Sequence, residues 1–580
     1  MSILRSGPPR AAADFRLRLR LCFNLWLGLA LPATAEAASS PATSGTGGMV
    51  VSDSALATEA GIELLRAGGD AADAAVATAL VLGVVQNFAS GLGGGGFALV
   101  FRQTDSRAYA LDFREVAPAA ASSTMFQDSA GLVIAGASTR GPRAVGVPGE
   151  LAGLFFLHHR HGKLPWAQVV APALRLARDG FVCPPLLATR LERHLAGLKL
   201  SPALALDFLT ATGTPHPSGT VIKRRALAGT LQEIARTGAD SFYRGALADR
   251  IAAAMSNEGG LVTRADLEGY KVIERPTVSI SYHGRTVHSM PPPSSGGAVL
   301  LQVLRVLEAL PLTSYGLSSV AYLHRLAEAL KHAFADRAAV MGDPAFTEVP
   351  VARLVSDATV DKVRGHFRAY ATGSRADYGA GFTLPLDSGT SHVSVIDSDG
   401  DAISLTTTVN TTWGSGWVAG QTGLLMNNQM DDFVAKPGVP NAFGLIGTAA
   451  NAIAPFKRPL SSMSPTLVVR DGKIEVVIGA SGGPTIITAT LQVLIDVLDF
   501  EIDPRAAVEA PRIHHQWVPE VLTLEPEFAP TLVDALRDRG HTTRTDLRFS
   551  AVQVLVVGRD GRLRGAADPS KQGTAAALRP

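Results

Sequence analysis

The chain has 580 residues, of which 46% are hydrophobic and 18% charged. Glycine and proline together make about 16% of it, below the ~25–30% of low-complexity chains, so disorder, collagen and coiled coil are excluded. The formal charge is +2, and Arg5, Arg10, Arg16, Arg18 and Arg20 near the N-terminus outweigh Asp14 and Glu36 there. The rest is near-neutral, without the electrostatic footprint of a nucleic-acid partner.

The N-terminus reads as an export signal, residues 1–37. Its arginines precede an apolar run, Leu21 to Pro32, and then Ala33-Thr34-Ala35-Glu36-Ala37, a small-x-small cleavage pattern. That run is too short to cross ~30 Å of hydrocarbon, so no stable membrane span is expected. The cysteines are Cys22, inside the signal, and Cys183, which leaves neither an internal disulfide nor a cysteine-based zinc site. A large exported chain without disulfides suits a bacterial periplasm or the medium.

In chain order, residues 38–48 form a flexible lead-in. Ser52 to Gly69 reads as a helix closed by Gly68-Gly69, and Ala71 to Val85 as a helix buried on all sides. Phe97–Phe101 and Tyr109–Phe113 read as a hairpin around Thr104-Asp105-Ser106. Residues 145–370 are mostly helical in pattern, as at Leu151–His159, Val169–Arg178 and Val320–Asp336. A glycine-rich linker, Ala376 to Gly389, follows. The pattern then switches to period two, with strands expected at 392–396, 402–408, 423–426, 465–470 and 474–479.

Three motifs are set aside. Gly91-Leu92-Gly93-Gly94-Gly95-Gly96 contains G-x-G-x-x-G but precedes a strand where a dinucleotide site needs a helix. His158-His159-Arg160-His161 ends a helical run before Gly162, where imidazoles are favourable without a metal. Asp397-x-Asp399-x-Asp401 lacks the Gly and Glu of an EF-hand and reads as a turn.

The junction after the linker carries the chemistry. Gly389-Thr390-Ser391-His392-Val393-Ser394-Val395-Ile396 and Ala402-Ile403-Ser404-Leu405-Thr406-Thr407-Thr408 flank an Asp/Gly-rich loop, which is a hairpin pattern. Setting Val395 opposite Ile403 and Val393 opposite Leu405 keeps the apolar residues on one face, and the same register sets Thr390 opposite Thr408. Thr390, His392, Ser394, Thr406 and Thr408 then share the polar face. A threonine hydroxyl is a poor nucleophile without an adjacent base; as an N-terminal residue it has its own α-amine, with an unperturbed pKa of about 7.7–8.0. Cleavage before Thr390 would supply that amine. The alternative is that Thr390 merely starts a polar strand face.

Longer motifs weigh on this choice. Thr390-Ser391-His392-Val393-Ser394-Val395, Asn410-Thr411-Thr412-Trp413-Gly414, Asn427-Asn428-Gln429-Met430-Asp431-Asp432-Phe433, Pro459-Leu460-Ser461-Ser462-Met463-Ser464-Pro465 and Ser481-Gly482-Gly483 resemble gamma-glutamyltransferases. So do Gly93-Gly94-Gly95-Gly96-Phe97, Asp112-Phe113-Arg114-Glu115 and Met290-Pro291-Pro292-Pro293-Ser294-Ser295-Gly296-Gly297, in order over roughly residues 48 to 575.

The resemblance implies an α+β fold, the four-layer αββα sandwich of N-terminal nucleophile hydrolases, formed jointly by a large subunit (38–389) and a small one (390–580). It implies a zymogen that cuts itself between Gly389 and Thr390 into a heterodimer. The reaction it implies moves a γ-glutamyl group from glutathione or related amides to water, amino acids or peptides, with no cofactor and no metal. Thr390 is the implied nucleophile, Thr408 the hydroxyl beside it, and Gly482 and Gly483 the oxyanion donors. Arg114, Ser461 and Ser462 are implied to hold the donor α-carboxylate, and Asn410, Gln429 and Asp432 its α-ammonium. These types suit the tasks: a guanidinium forks onto a carboxylate, a carboxylate neutralises a desolvated ammonium, and amides between a strand and a helix face developing negative charge. Two departures stand out. Ser391 replaces a second Thr, and in the lid loop, Pro437 to Thr448, Phe443 replaces a Tyr whose hydroxyl could latch it.

Three other readings stay open at this point. Gly479-Ala480-Ser481-Gly482-Gly483 satisfies G-x-S-x-G, with Asp496 or Asp499 and then His514 in serine-hydrolase order, although this leaves the helical first half unexplained. A glutaryl-type cephalosporin acylase looks like this family without needing to bind an α-ammonium. A binding protein could keep the fold without activity, against which every expected site position is filled.

Overall fold

The computed structural model describes residues 42–373, 378 and 389–578. The export signal lies outside the described residues, as does the expected linker apart from Tyr378 and Gly389.

Two seven-stranded antiparallel sheets face each other between layers of helices. The first runs Thr574–Ala577, Met49–Ser52, Gly389–Ile396, Ala402–Asn410, Gly95–Arg102, Arg107–Phe113, Ile273–Pro276. The second runs Thr43–Gly45, Leu563–Ala567, Ala551–Val557, Lys473–Ser481, Thr466–Arg470, Arg285–Ser289, Val278–Tyr282. Segments from either side of Gly389 contribute to both sheets, so neither segment owns a sheet.

The helix Ala71–Val85 shows how sequence fixes one layer. Asp70 caps it by accepting from the amides of Ala72 and Asp73, while the Asp73 carboxylate accepts from the Asp70 amide. Its Ala/Val/Leu surface is buried almost all round, as the sequence predicts. One side packs on Val393, Val395, Ile403 and Leu405 of the first sheet. Helices Gly296–Glu308, Val320–Val340 and Thr485–Leu498 join the core that covers the second sheet.

The junction hairpin has the register expected: Thr390 pairs with Thr408, Val393 with Leu405 and Val395 with Ile403. Its polar face, however, turns inward. His392, Ser394 and Ser404 are fully buried between the sheets. Ser394 Oγ donates to the Gln553 carbonyl at 3.2 Å and Ser404 Oγ to the Ile478 carbonyl at 2.9 Å. Alternation correctly separates the two faces, but both faces of a central strand are covered in a four-layer fold, so polarity does not mean solvent.

Three expectations need correction. Within the lead-in, Thr43–Gly45 is an ordered edge strand paired antiparallel with Leu563–Gly565. No strand spans 423–426; Leu425 and Met426 make isolated bridges to Val418 and Gly93 only. The mostly helical stretch 145–370 also holds the strands Ile273–Pro276, Val278–Tyr282 and Arg285–Ser289, two of which are edges of the sheets. Their alternating burial is ordinary for strands, but they are short and follow a long helical run.

His392 has a measurable consequence. Nδ1 lies 2.8 Å from Thr406 Oγ1, and burial pushes the imidazole down to about 3. The folded protein therefore keeps it neutral, whereas the unfolded chain protonates it near 6.5. The unfolded state binds more protons between these values, so stability is lost as pH falls below about 6.5. His392→Gln should lose roughly 2 kcal/mol less than wild type between pH 7 and pH 5, read from urea unfolding at each pH.

Candidate active site

Thr390 stands second in its strand, after a register irregularity at Gly389, and both Thr390 and Thr408 are buried. Their hydroxyls are 3.2 Å apart. Thr408 Oγ1 donates to the Gly389 carbonyl oxygen and accepts from the Asn410 amide at 2.8 Å. With its proton on Gly389, it is left to accept from Thr390. The Thr390 hydroxyl is thus oriented beside a carbonyl polarised by a hydroxyl donor. Gly389 is the residue this contact requires, because a Cβ there would lie 2.6 Å from the Thr411 carbonyl oxygen and 2.8 Å from that of Phe88.

These threonines open on a cleft of about 610 Å³ including its mouth. Arg114, Asn410, Gln429, Asp432, Ser461, Ser462 and Gly483 all line it, so the structure gathers residues spread over some 370 positions of sequence. Gly482 and Gly483 turn the chain between the strand Lys473–Ser481 and the helix Thr485–Leu498, with φ of +142° and +61°. Glycine adopts both values without a Cβ penalty.

Arg114 and Asp432, assigned by resemblance to opposite charges of one substrate, are direct partners. Arg114 Nη2 donates to Asp432 Oδ2, and Nε and Nη2 also reach the carbonyls of Pro459 and Leu460 at 3.2 Å. Gln429 Nε2 donates to the same Asp432 oxygen at 3.0 Å, while Gln429 Oε1 is buried with no partner among the described residues. Burial raises Asp432, and the Arg114 charge opposes the rise. Burial also lifts Glu115, beside Arg114, to about 7.

Sequence reading missed Arg337. It lies on the helix Val320–Val340, lines the cleft, and donates from Nε to Ser295 Oγ at 2.8 Å. Ser295 Oγ in turn donates to the Ser461 carbonyl at 2.6 Å, so the Pro-Pro-Pro-Ser-Ser-Gly-Gly motif clamps the loop bearing Ser461 and Ser462. Burial lowers Arg337 to about 10. A signal existed: Arg337 continues the buried helical stripe of Leu326, Leu330 and Phe334.

Phe443 is buried in the cleft wall without a hydroxyl latch. Backbone contacts hold its loop instead: Ala442 N donates to Asp431 Oδ2 at 2.9 Å, and Gln516 Nε2 to the Phe443 carbonyl at 3.3 Å. The serine-hydrolase constellation is not assembled. Ser481 Oγ contacts the Ala551 carbonyl, His514 contacts Thr488 and Gln516, and Asp499 accepts from Tyr282. The His158–His161 run ends the helix Glu150–His161 before Gly162, as expected.

A family model described as gamma-glutamyltranspeptidase matches residues 57–578. The glutathione hydrolase proenzyme of Escherichia coli (strain K12) is 42% identical over 523 residues, covering 90% of each chain. The glutathione hydrolase proenzyme of Pseudomonas aeruginosa is 40% identical over 567 residues, covering 96% of this chain and 99% of that one. Among solved structures, a cephalosporin acylase from Bacillus halodurans aligns with a TM-score of 0.82 at 28% identity, covering 93% of this chain and 97% of that one. The gamma-glutamyltranspeptidase of Helicobacter pylori aligns with a TM-score of 0.56 at 35% identity, covering 59% and 96%.

Thr408→Val keeps the shape beside the Gly389 carbonyl and removes its donor. If that contact polarises a bond to be cut, cleavage at Gly389–Thr390 should slow by about 10²–10³-fold, as for loss of an oxyanion donor. Gel time courses of freshly folded protein measure this, and Thr408→Ser should restore most of the rate.

Proposed function

Because this chain belongs to the gamma-glutamyltranspeptidase family, we propose that it matures by cutting itself between Gly389 and Thr390, and that Thr390 then carries the γ-glutamyl group. The donor is glutathione or a related amide; the acceptor is water, an amino acid or a peptide. The observation that carries the residue assignment is the Thr390–Thr408–Gly389 contact set, which aligns nucleophile and carbonyl within one strand end.

In the precursor, Thr390 Oγ attacks the Gly389 carbonyl carbon and the C–N bond breaks. The Thr390 nitrogen takes the hydroxyl proton, and water hydrolyses the resulting ester. Fragments 38–389 and 390–580 remain associated, a reading supported by the two shared sheets. In turnover, the new α-amine takes the Thr390 hydroxyl proton as Oγ attacks the γ-carbonyl. Amides of Gly482 and Gly483 stabilise the oxyanion. The proton passes to the leaving amine, and water or an acceptor amine releases the γ-glutamyl ester.

At the other end, Arg114, Ser461 and Ser462 take the α-carboxylate, while Asp432, Asn410 and the free Oε1 of Gln429 take the α-ammonium. The cephalosporin acylase similarity favours a second reading, a glutaryl donor without that ammonium. Asp432 weighs against it, since a glutaryl group would bring no cation to a largely buried carboxylate already shared with Arg114. The N-terminal arginine-rich and apolar segments support export to the periplasm or medium, and no helix among the described residues is long and apolar enough to cross a membrane.

Sequencing the smaller fragment should give Thr-Ser-His-Val, and Thr390→Ala should stay one inactive chain; an active uncut protein contradicts the mechanism. Asp432→Asn should cost γ-glutamyl turnover about 100- to 4000-fold in kcat/KM, the equivalent of ~3–5 kcal/mol for breaking a buried ion pair. Glutaryl hydrolysis should fall little or rise. Matched γ-glutamyl and glutaryl anilides measure both, and a mutant that keeps its glutamyl preference overturns the role of Asp432.

A further inference from the structure

Lys571 is a largely buried cation that the scheme above does not use. It ends the short turn Pro569–Lys571, and its Nζ donates to the backbone carbonyl of Thr390 itself. The same Nζ lies 3.3 Å from Asp53 Oδ2. Asp53 is fully buried and anchored on the nucleophile strand and the facing sheet: Oδ2 accepts from the His392 amide at 3.2 Å and Oδ1 from Gln553 Nε2. After cleavage Asp53 would belong to the large fragment and Lys571 to the small one.

The carbonyl oxygen and the nitrogen of one residue are three short bonds apart, so Lys571 Nζ lies within about 6 Å of the Thr390 nitrogen. A cation at that range disfavours a second positive charge, and a carboxylate favours it. We propose that Lys571 and Asp53 act as an opposed pair that positions the new N-terminus of Thr390 and sets its protonation, with Lys571 holding the α-amine as the free base. The proposal rests on the self-cleavage reading, because that amine exists only once the Gly389–Thr390 bond is cut.

The surroundings leave these two groups in charge of the amine. Burial disfavours the charge on each, raising Asp53 and lowering Lys571, and the partner's charge opposes the shift. Asp568 and Arg190 act on Lys571 from beyond it, and Asp568 is tied to Arg512 at 2.7 Å. Across the cleft, Arg114 and Asp432 largely cancel, while Arg337 adds to the cationic side. On the helix side, burial holds Glu115 and Glu150 toward the neutral form. His392, between Thr406 and Ser394, stays neutral.

The test is the pH dependence of kcat/KM on a γ-glutamyl anilide for wild type, Lys571→Gln, Lys571→Arg and Asp53→Asn, each first checked for cleavage by N-terminal sequencing. The wild-type acidic limb should fall below the ordinary α-amine range of about 7.7–8.0. Lys571→Gln should raise it by about one pH unit, and Asp53→Asn should lower it by a similar amount. Lys571→Arg should stay close to wild type. A purely structural pair would lower kcat in both variants without moving the limb in opposite directions. The proposal is overturned by a wild-type limb at or above the ordinary range, or by limbs that stay put or shift the same way. If Lys571→Gln yields no processed protein, wild type and Asp53→Asn still decide. A wild type that is active but uncut would instead sink the cleavage reading.

Discussion

Everything at this site depends on one strand pairing. Thr390 faces Thr408 because the apolar residues behind them, Val393 with Leu405 and Val395 with Ile403, must all pack on the helix Ala71–Val85. Slipping the register by a single residue would exchange the faces of the whole strand. The helix side would then receive His392 and Ser394, and the hydroxyl pair would be lost. The hydrophobic layer on one face thus aligns the chemistry on the other. The same pairing explains Gly389, the residue at which the ladder becomes irregular and where no Cβ fits.

A second layer of constraint is electrostatic. The cleft collects Arg114, Arg337 and Asp432, with Glu115 packed against Arg114, and little solvent screens them, so each charge is defined by its neighbours. Arg114 and Asp432 satisfy one another through a direct contact. A zwitterionic head group offers each of them a partner of opposite charge, replacing one ion pair with two. A head group bearing only a carboxylate does not. In the proposed reading, discrimination arises from leaving a buried charge uncompensated, which costs more than any gain from the pair itself.

Much of this was legible in the sequence. The hairpin register, the helix Ala71–Val85, the hairpin after Gly95 and the strand-to-helix turn at Gly482-Gly483 follow from periodicity and turn residues, which are local properties. The line from Arg114 to Asp432 to Ser461 came from motif resemblance, and the structure gathers those residues around one cleft. What escaped was non-local. Arg337 looked like an ordinary helix residue, because a sequence does not say which buried stripe opens on a cavity. Lys571 and Asp53 lie at opposite ends of the chain, and nothing local links either to Thr390. What covers the polar face of the strand Gly389–Ile396 escapes for the same reason: alternation separates faces but does not say what packs on them. Residues 423–426 were apolar enough for a strand, but their partners supply only single bridges.

In the proposed reaction one hydroxyl, that of Thr390, carries the acyl group. Acid quenching during turnover of a slowly hydrolysed γ-glutamyl donor, followed by peptide mass mapping, locates that group. A γ-glutamyl ester is expected on the peptide that begins with Thr390, at the Thr390 side chain. A label on Ser481, or turnover that leaves no label on Thr390, would contradict it.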